Sequence, residues 1–66
     1  MKERLFKAKL VEANITTRDL ADALGISYAT YLRRMRNPGE LTVLELDTIA
    51  KKLSLSDQEF INIFFK

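Results

Sequence analysis

The chain has 66 residues, close to the lower size at which a hydrophobic core alone stabilises a fold, so we expect residues 1–66 to form a single domain. It contains neither cysteine nor histidine, which excludes disulfide bonds, thiolate metal sites and the most common general base. Hydrophobic residues make up 47% of the chain and charged residues 30%, a balance typical of a globular protein. The apolar runs are too short to span a membrane and the N-terminus has mixed charge, so we expect a cytoplasmic protein.

The formal net charge of +2 is unevenly distributed. Residues 1–39 carry eight basic and four acidic side chains, a balance of +4, whereas residues 40–66 carry three basic and five acidic ones, a balance of −2. The basic half favours an anionic partner. Chance is the alternative explanation, because small domains often show such an imbalance.

The first predicted helix spans about residues 2–13. It ends at Asn14, which tolerates the left-handed conformation better than most residues. The side chains that recur at helical spacing, and therefore face a core, are Phe6, Leu10 and Ala13. Leu5 and Val11 widen this apolar face.

A helix start signal recurs along the rest of the chain. It consists of an apolar residue, a Ser or Thr, two further residues, an acid and a second apolar residue. The hydroxyl caps the first backbone N–H groups, the acid bonds back to the cap, and the apolar pair packs together. The complete signal occurs at Thr16, Thr42 and Ser56, and Ser27 has it without the acid. These starts predict an all-α fold of five helices.

The second and third predicted helices are joined by a tight turn. Gly25 ends the second helix because positive φ costs least at glycine, and Ser27 opens the third. The third helix ends at Asn37, since Pro38 disfavours helical conformation in the residue before it. Ala21 is small enough for the two helices to approach and cross steeply. Residues 16–36 therefore form a helix-turn-helix pattern, typical of proteins that insert one helix into the major groove of DNA.

The fourth and fifth predicted helices complete the core. The apolar stripe of the fourth helix consists of Val43, Leu46, Ile49, Ala50 and Leu53. Residues 54–56 separate it from the fifth helix, where Phe60, Ile63 and Phe64 occupy one side. Ile61 and Phe65 lie on another side, and a helix this short does not need two apolar faces for the core. We therefore expect the second face to contact a partner.

These motifs resemble the lambda-repressor/Cro-like (XRE) helix-turn-helix family over nearly the whole chain, and small phage and prophage members in particular. The segments that carry the resemblance are Lys7–Glu12, Ile15–Ser27, Leu41–Leu46, Ile49–Leu53 and Phe64-Phe65. The resemblance implies a compact five-helix DNA-binding domain, commonly a dimer on an operator sequence. Two departures are Leu32, where several members have a polar residue, and Asn37-Pro38-Gly39, where Asn-Gly is more usual.

The resemblance also implies which residues contact DNA. The groove-facing side of the third helix corresponds to Ser27, Tyr28, Ala29, Leu32, Arg33 and Arg36. Tyr31 and Met35 correspond to its buried side. Leu32 would then either contact a thymine methyl group or pack within the protein.

For the arginines of the third helix and for Tyr28, the sequence leaves more than one possible contact open. A guanidinium at Arg33 or Arg36 can pair with guanine O6 and N7, bind a phosphate, or be solvated. Arg34 points about 100° away from Arg33, so we expect it to be solvated or to contact a phosphate. Tyr28 stacks on a sugar, donates to a phosphate, or packs on the neighbouring turn.

The start of the second helix is a candidate phosphate site. Thr17 and Arg18 lie there, among unpaired N–H groups that favour an anion. Lys7 and Lys9 on the first helix are more simply explained as solvated.

We expect no enzymatic activity, no cofactor, no metal, no small-molecule substrate and no membrane partner. The acids have capping or surface positions, and no glycine-rich phosphate loop occurs. The predicted partner is a double-stranded DNA operator, bound by a homodimer that forms through Ile61 and Phe65, in solution or on DNA. The alternative is a helical module, antirepressor-like or antitoxin-like, that binds a protein through the fifth helix.

Overall fold

The computed structural model describes residues 1–66 as five α-helices and no strands, which confirms the all-α prediction. The helices are α1 (Glu3–Ala13), α2 (Thr17–Leu24), α3 (Tyr28–Arg36), α4 (Val43–Lys52) and α5 (Asp57–Phe64). A single 3₁₀ turn, Pro38–Glu40, lies between α3 and α4 and was not predicted. None of the helices combines the length and apolar content that crossing a membrane requires.

Three of the four helix junctions have the same construction. Each has a residue with positive φ, then an apolar residue, then a Ser or Thr that caps the next helix. The three junctions are Asn14-Ile15-Thr16, Gly25-Ile26-Ser27 and Ser54-Leu55-Ser56. In each, the apolar residue's N–H donates to a carbonyl five residues earlier, which satisfies an otherwise unpaired group at the helix end. The left-handed conformations of Asn14 and Gly25 were predicted, and that of Ser54 was not.

The predicted helix caps are present. Thr16, Thr42 and Ser56 each accept a hydrogen bond from the N–H three residues on, and the acid there accepts one from the cap N–H. Ser27 caps α3 without an acid: it accepts from the Thr30 N–H at 3.2 Å, and its hydroxyl donates to the Thr30 hydroxyl oxygen at 2.9 Å.

The core draws on all five helices. α2 packs against both α3 and α4, and α1 packs against α5. The nine buried side chains are Phe6, Leu10, Leu20, Ala21, Tyr31, Leu41, Ile49, Leu53 and Ile63. Leu20 and Ile49 are completely buried, so the contact between α2 and α4 lies at the centre of the molecule.

The core prediction was wrong for Val43, whose side chain is 83% exposed. Val43 is the first residue of α4, and Leu41, just before the Thr42 cap, is buried in its place at this end of the helix. Leu5 and Val11, which widened the apolar face of α1, are also exposed.

Lys9 is not simply solvated, as the sequence suggested, because it connects α1 to α5. Its ammonium group forms an ion pair with Glu59 and lies 3.5 Å from Glu12. Glu59 is also the capping acid of α5, accepting from the Ser56 N–H. The Lys9 ammonium group and then the Ser56 N–H lower the pKa of Glu59 to about 2.

Replacing Thr42 with alanine should remove the cap of α4. We expect Thr42→Ala to destabilise the protein by about 0.5–2 kcal/mol, a substantial part of the stability of so small a protein. A urea melt measures this change. Thr48→Ala is the matched control, because the Thr48 hydroxyl only donates back to the Leu44 carbonyl within α4. An unchanged midpoint for Thr42→Ala would mean that the cap contributes nothing to stability.

The low pKa of Glu59 predicts a loss of stability in acid. The ionised carboxylate stabilises the fold above its ordinary pKa of 4.5, and this contribution is lost as the pH falls toward about 2. Glu59→Gln retains a capping side chain but not the charge. Urea melts at several pH values should therefore show the variant less stable than the parent at neutral pH, with the gap closing in acid. A gap that does not change with pH would contradict the predicted linkage.

Candidate functional site

The turn between α2 and α3 fixes how the two helices cross. Gly25 has φ of 71°, and its N–H donates to the carbonyls of Ala21 and Asp22. Ala21 is buried, and its methyl group leaves room for the close approach that the sequence predicted. Since only Ile26 separates Gly25 from the Ser27 cap, α3 begins at once in a direction that α2 determines.

Tyr28 is held by three neighbours. Its hydroxyl oxygen lies 3.1 Å from that of Thr17, its ring stacks on Tyr31 with centroids 6.1 Å apart, and the Arg18 guanidinium lies 4.2 Å from its ring centroid. This is the packing alternative for Tyr28, here against α2 as well as within α3. The structure therefore brings together Thr17, Arg18 and Tyr28, which the sequence had placed in two different helices. Burial raises the pKa of Tyr31 to about 12.

The hydrogen bond between Thr17 and Tyr28 leaves one hydroxyl proton unused. Either oxygen can be the donor, and each hydroxyl carries a single proton. Whichever hydroxyl accepts retains its own proton for another acceptor. The pair can therefore donate one hydrogen bond to a group outside the protein.

The outer side of α3 is exposed. It carries the remaining predicted groove residues, Ser27, Ala29, Leu32, Arg33 and Arg36, all of which are exposed. The opposite side holds Tyr31, which is buried, and Met35, which is half-buried. No carboxylate lies within ion-pair distance of either exposed arginine. Both guanidinium groups are therefore free to bind an anion or a base edge.

Arg34 differs from its neighbours, and the expectation that it is solvated was wrong, whereas a phosphate contact by Arg34 stays a prediction. Its guanidinium forms an ion pair with Glu45, the capping acid of α4. The Thr42 N–H, followed by Arg34, lowers the pKa of Glu45 from its ordinary value of 4.5. The basic cluster Arg33–Arg36 is thus divided, with Arg34 directed toward α4.

A shallow cleft of about 270 Å³ lies between α1 and α3. Its lining is largely apolar and includes Phe6 and Met35, and Lys7, Thr17 and Arg36 also contribute to it. Glu3 is the only acid among the lining residues. Lys7 is exposed, as the sequence predicted, and it lines this cleft because it follows the core residue Phe6 at the edge of the core face of α1. That position is the signal that could have associated Lys7 with α3.

Comparison with known proteins identifies one family. A family model described as helix-turn-helix, HTH_3, matches residues 6–60, which include α1 to α4 almost entirely and the beginning of α5. Searches of curated proteins and of solved structures returned no match.

Proposed function

Because the chain belongs to the HTH_3 helix-turn-helix family, a family of DNA-binding regulatory domains, we propose that it binds a specific operator in double-stranded DNA as a Cro-like or repressor-like regulator. The observation that carries this proposal is the exposed side of α3, with two unpaired arginines on a helix whose other side is buried. We further propose that residues 1–66 act as one domain in the cytoplasm.

In this proposal α3 lies in the major groove. Arg33 and Arg36 are three residues apart, on neighbouring positions of one helix side, and each can donate to guanine O6 and N7. Leu32 and Ala29 offer apolar contacts suited to a thymine methyl group. Ser27 stands at the start of the helix, where its oxygen can still accept a hydrogen bond although its proton is used by Thr30.

The N-terminus of α2 is the proposed phosphate contact. Of the two hydroxyl groups of Thr17 and Tyr28, the one that accepts within the pair can donate its own O–H to a phosphate oxygen. Arg18 places a positive charge beside this pair. Lys7, at the cleft between α1 and α3, adds a second positive charge. Such contacts set the position of the protein on the duplex without reading sequence, which leaves the choice of sequence to α3.

We propose that two copies pair through α5. Ile61 is 41% exposed and Phe65 is 65% exposed. Phe65 lies between two surface clefts, both of which are also lined by Val43 and Leu46. The apolar surface therefore continues from α5 onto α4. Two-fold pairing would place two α3 helices about 34 Å apart, one turn of the duplex, and predicts a nearly palindromic operator.

The same apolar surface favours a second candidate function, binding of another protein through α5 with little or no DNA binding. Salt distinguishes the two functions. Neutralised phosphates make the logarithm of the DNA affinity fall linearly with the logarithm of the salt concentration, with a slope of about −0.9 per phosphate contact. A slope of several units supports the groove proposal, and a slope near zero supports the protein-binding module.

Substituting Arg33 tests the groove contact. If Arg33 reads a base, Arg33→Ala should weaken binding to the preferred duplex by about 1–3 kcal/mol and remove the preference at one base pair. Titration of labelled duplexes that differ at single positions measures both effects. Lys51→Ala is the control, since it removes the same charge from the exposed side of α4. An equal loss on every duplex would make Arg33 a phosphate contact, and unchanged binding would remove it from the site.

Substituting Ile61 tests the dimer. Ile61→Glu should abolish cooperative binding to a duplex with two half-sites while leaving the helical circular dichroism spectrum intact, because a charge on the pairing face opposes association. Val11→Glu is the matched control, an exposed apolar residue on α1. Cooperative binding by the folded Ile61→Glu protein would place the dimer elsewhere. A 1:1 complex of the parent protein on its preferred duplex would rule the dimer out.

A further inference from the structure

The capping acids of α4 and α5 differ from that of α2. Asp19 accepts only from its own cap, at 2.9 Å from the Thr16 nitrogen. Glu45 and Glu59 each use one carboxylate oxygen for the cap N–H and the other for a basic side chain of another helix. The extra methylene of glutamate lets the carboxylate reach beyond its own helix while the cap is kept.

In Glu45 the two oxygens connect the start of α4 to α3. One oxygen accepts from the Thr42 N–H at 3.0 Å and the other pairs with Arg34. The pair is mostly withdrawn from solvent, since the side chain of Arg34 is 29% exposed and that of Glu45 is 15% exposed. Because the cap fixes Glu45, the carboxylate is a rigid anchor for the guanidinium.

Besides this ion pair, the last turn of α3 is attached to the rest of the protein by Met35, which packs against the core. Tyr31 is the only fully buried residue of α3, and in the turn after it Arg33 and Arg36 are exposed and Met35 is half-buried. The chain then leaves through Asn37 into the 3₁₀ turn. Arg34 is therefore the only side chain of this turn that forms an ion pair with the rest of the protein.

We propose that Arg34, acting through Glu45, is a positioning residue that holds the C-terminal turn of α3 in the orientation from which Arg33 and Arg36 read DNA. This inference rests on the proposed function. It assigns the middle arginine of the cluster a part in recognition that requires no contact with DNA.

If Arg34 instead binds a phosphate, one substitution should change the DNA affinity in the opposite direction. If Arg34 left Glu45 to bind a phosphate, neutralising Glu45 would release the guanidinium, remove a negative charge near the duplex and tighten binding. If Arg34 positions α3, the same change weakens specific binding. Glu45→Gln separates these outcomes, because glutamine can still serve as the capping residue.

The experiment compares Glu45→Gln with the parent protein on two duplexes, one selected by the parent from a random pool and one of unrelated sequence. We expect affinity for the selected duplex to fall about three- to tenfold, and affinity for the unrelated duplex to stay the same or rise. Asp47→Asn is the matched control, since it removes an exposed acid of α4 that pairs only with Lys51. It should weaken binding to neither duplex.

Further variants test whether the loss of affinity comes from the contact between Glu45 and Arg34 and not from a folding defect. Glu45→Asp keeps an acid of the length that caps α2 but shortens the reach to Arg34, so it should reproduce the selective loss. Arg34→Lys should recover part of the specific affinity lost in Arg34→Gln. Circular dichroism at the assay temperature verifies that each protein is folded.

Two results would overturn the inference. One is binding of Glu45→Gln to the selected duplex that is as tight as that of the parent or tighter. The other is an equal loss on both duplexes for Arg34→Gln with a salt slope lower by about one, which makes Arg34 a phosphate contact. If the parent protein selects no sequence, the proposed function fails and the inference fails with it. Selection by the parent followed by either of these two results defeats the inference alone.

Discussion

The orientation of α3 depends on one left-handed residue, Gly25, placed directly before the cap of the next helix. With only Ile26 between that residue and Ser27, the direction in which α3 begins is set by the end of α2. α2 in turn is fixed by Leu20, which is completely buried against α4. The exposure of one side of α3 therefore follows from a core contact and a single turn. The position of Arg33 is therefore determined by Leu20 and Gly25, which are not among the proposed DNA contacts.

Two of the residues that cap helices also form ion pairs with other helices. A capping glutamate at the start of α4 pairs with α3, and another at the start of α5 pairs with α1. In a protein with only nine buried side chains, such contacts join these helices in addition to the core. They also place ionised carboxylates with lowered pKa values at the starts of two helices. The stability of the fold therefore decreases in acid, as these carboxylates become protonated.

Features of the fold that depend on a few neighbouring residues could be predicted from the sequence, and features that depend on distant partners could not. The caps at Thr16 and Thr42 and the stop at Gly25 are encoded within four residues. The left-handed Ser54 was missed because serine has no special preference for positive φ. Val43 was assigned to the core because helical spacing includes it, although its side chain lies on the exposed side of the first turn of α4. The partner of Arg34 lies on another helix, so periodicity within α3 could not identify it.

Selection from a random duplex pool shows whether the exposed side of α3 reads the sequence of double-stranded DNA. The protein is mixed with random-sequence duplexes, bound molecules are recovered over successive rounds, and the enriched sequences are read. We expect enrichment of one short motif that includes guanine and is repeated as a near-palindrome with half-sites about one helical turn apart. Bound sequences with the same composition as the starting pool, at a salt concentration where non-specific binding is weak, would contradict it.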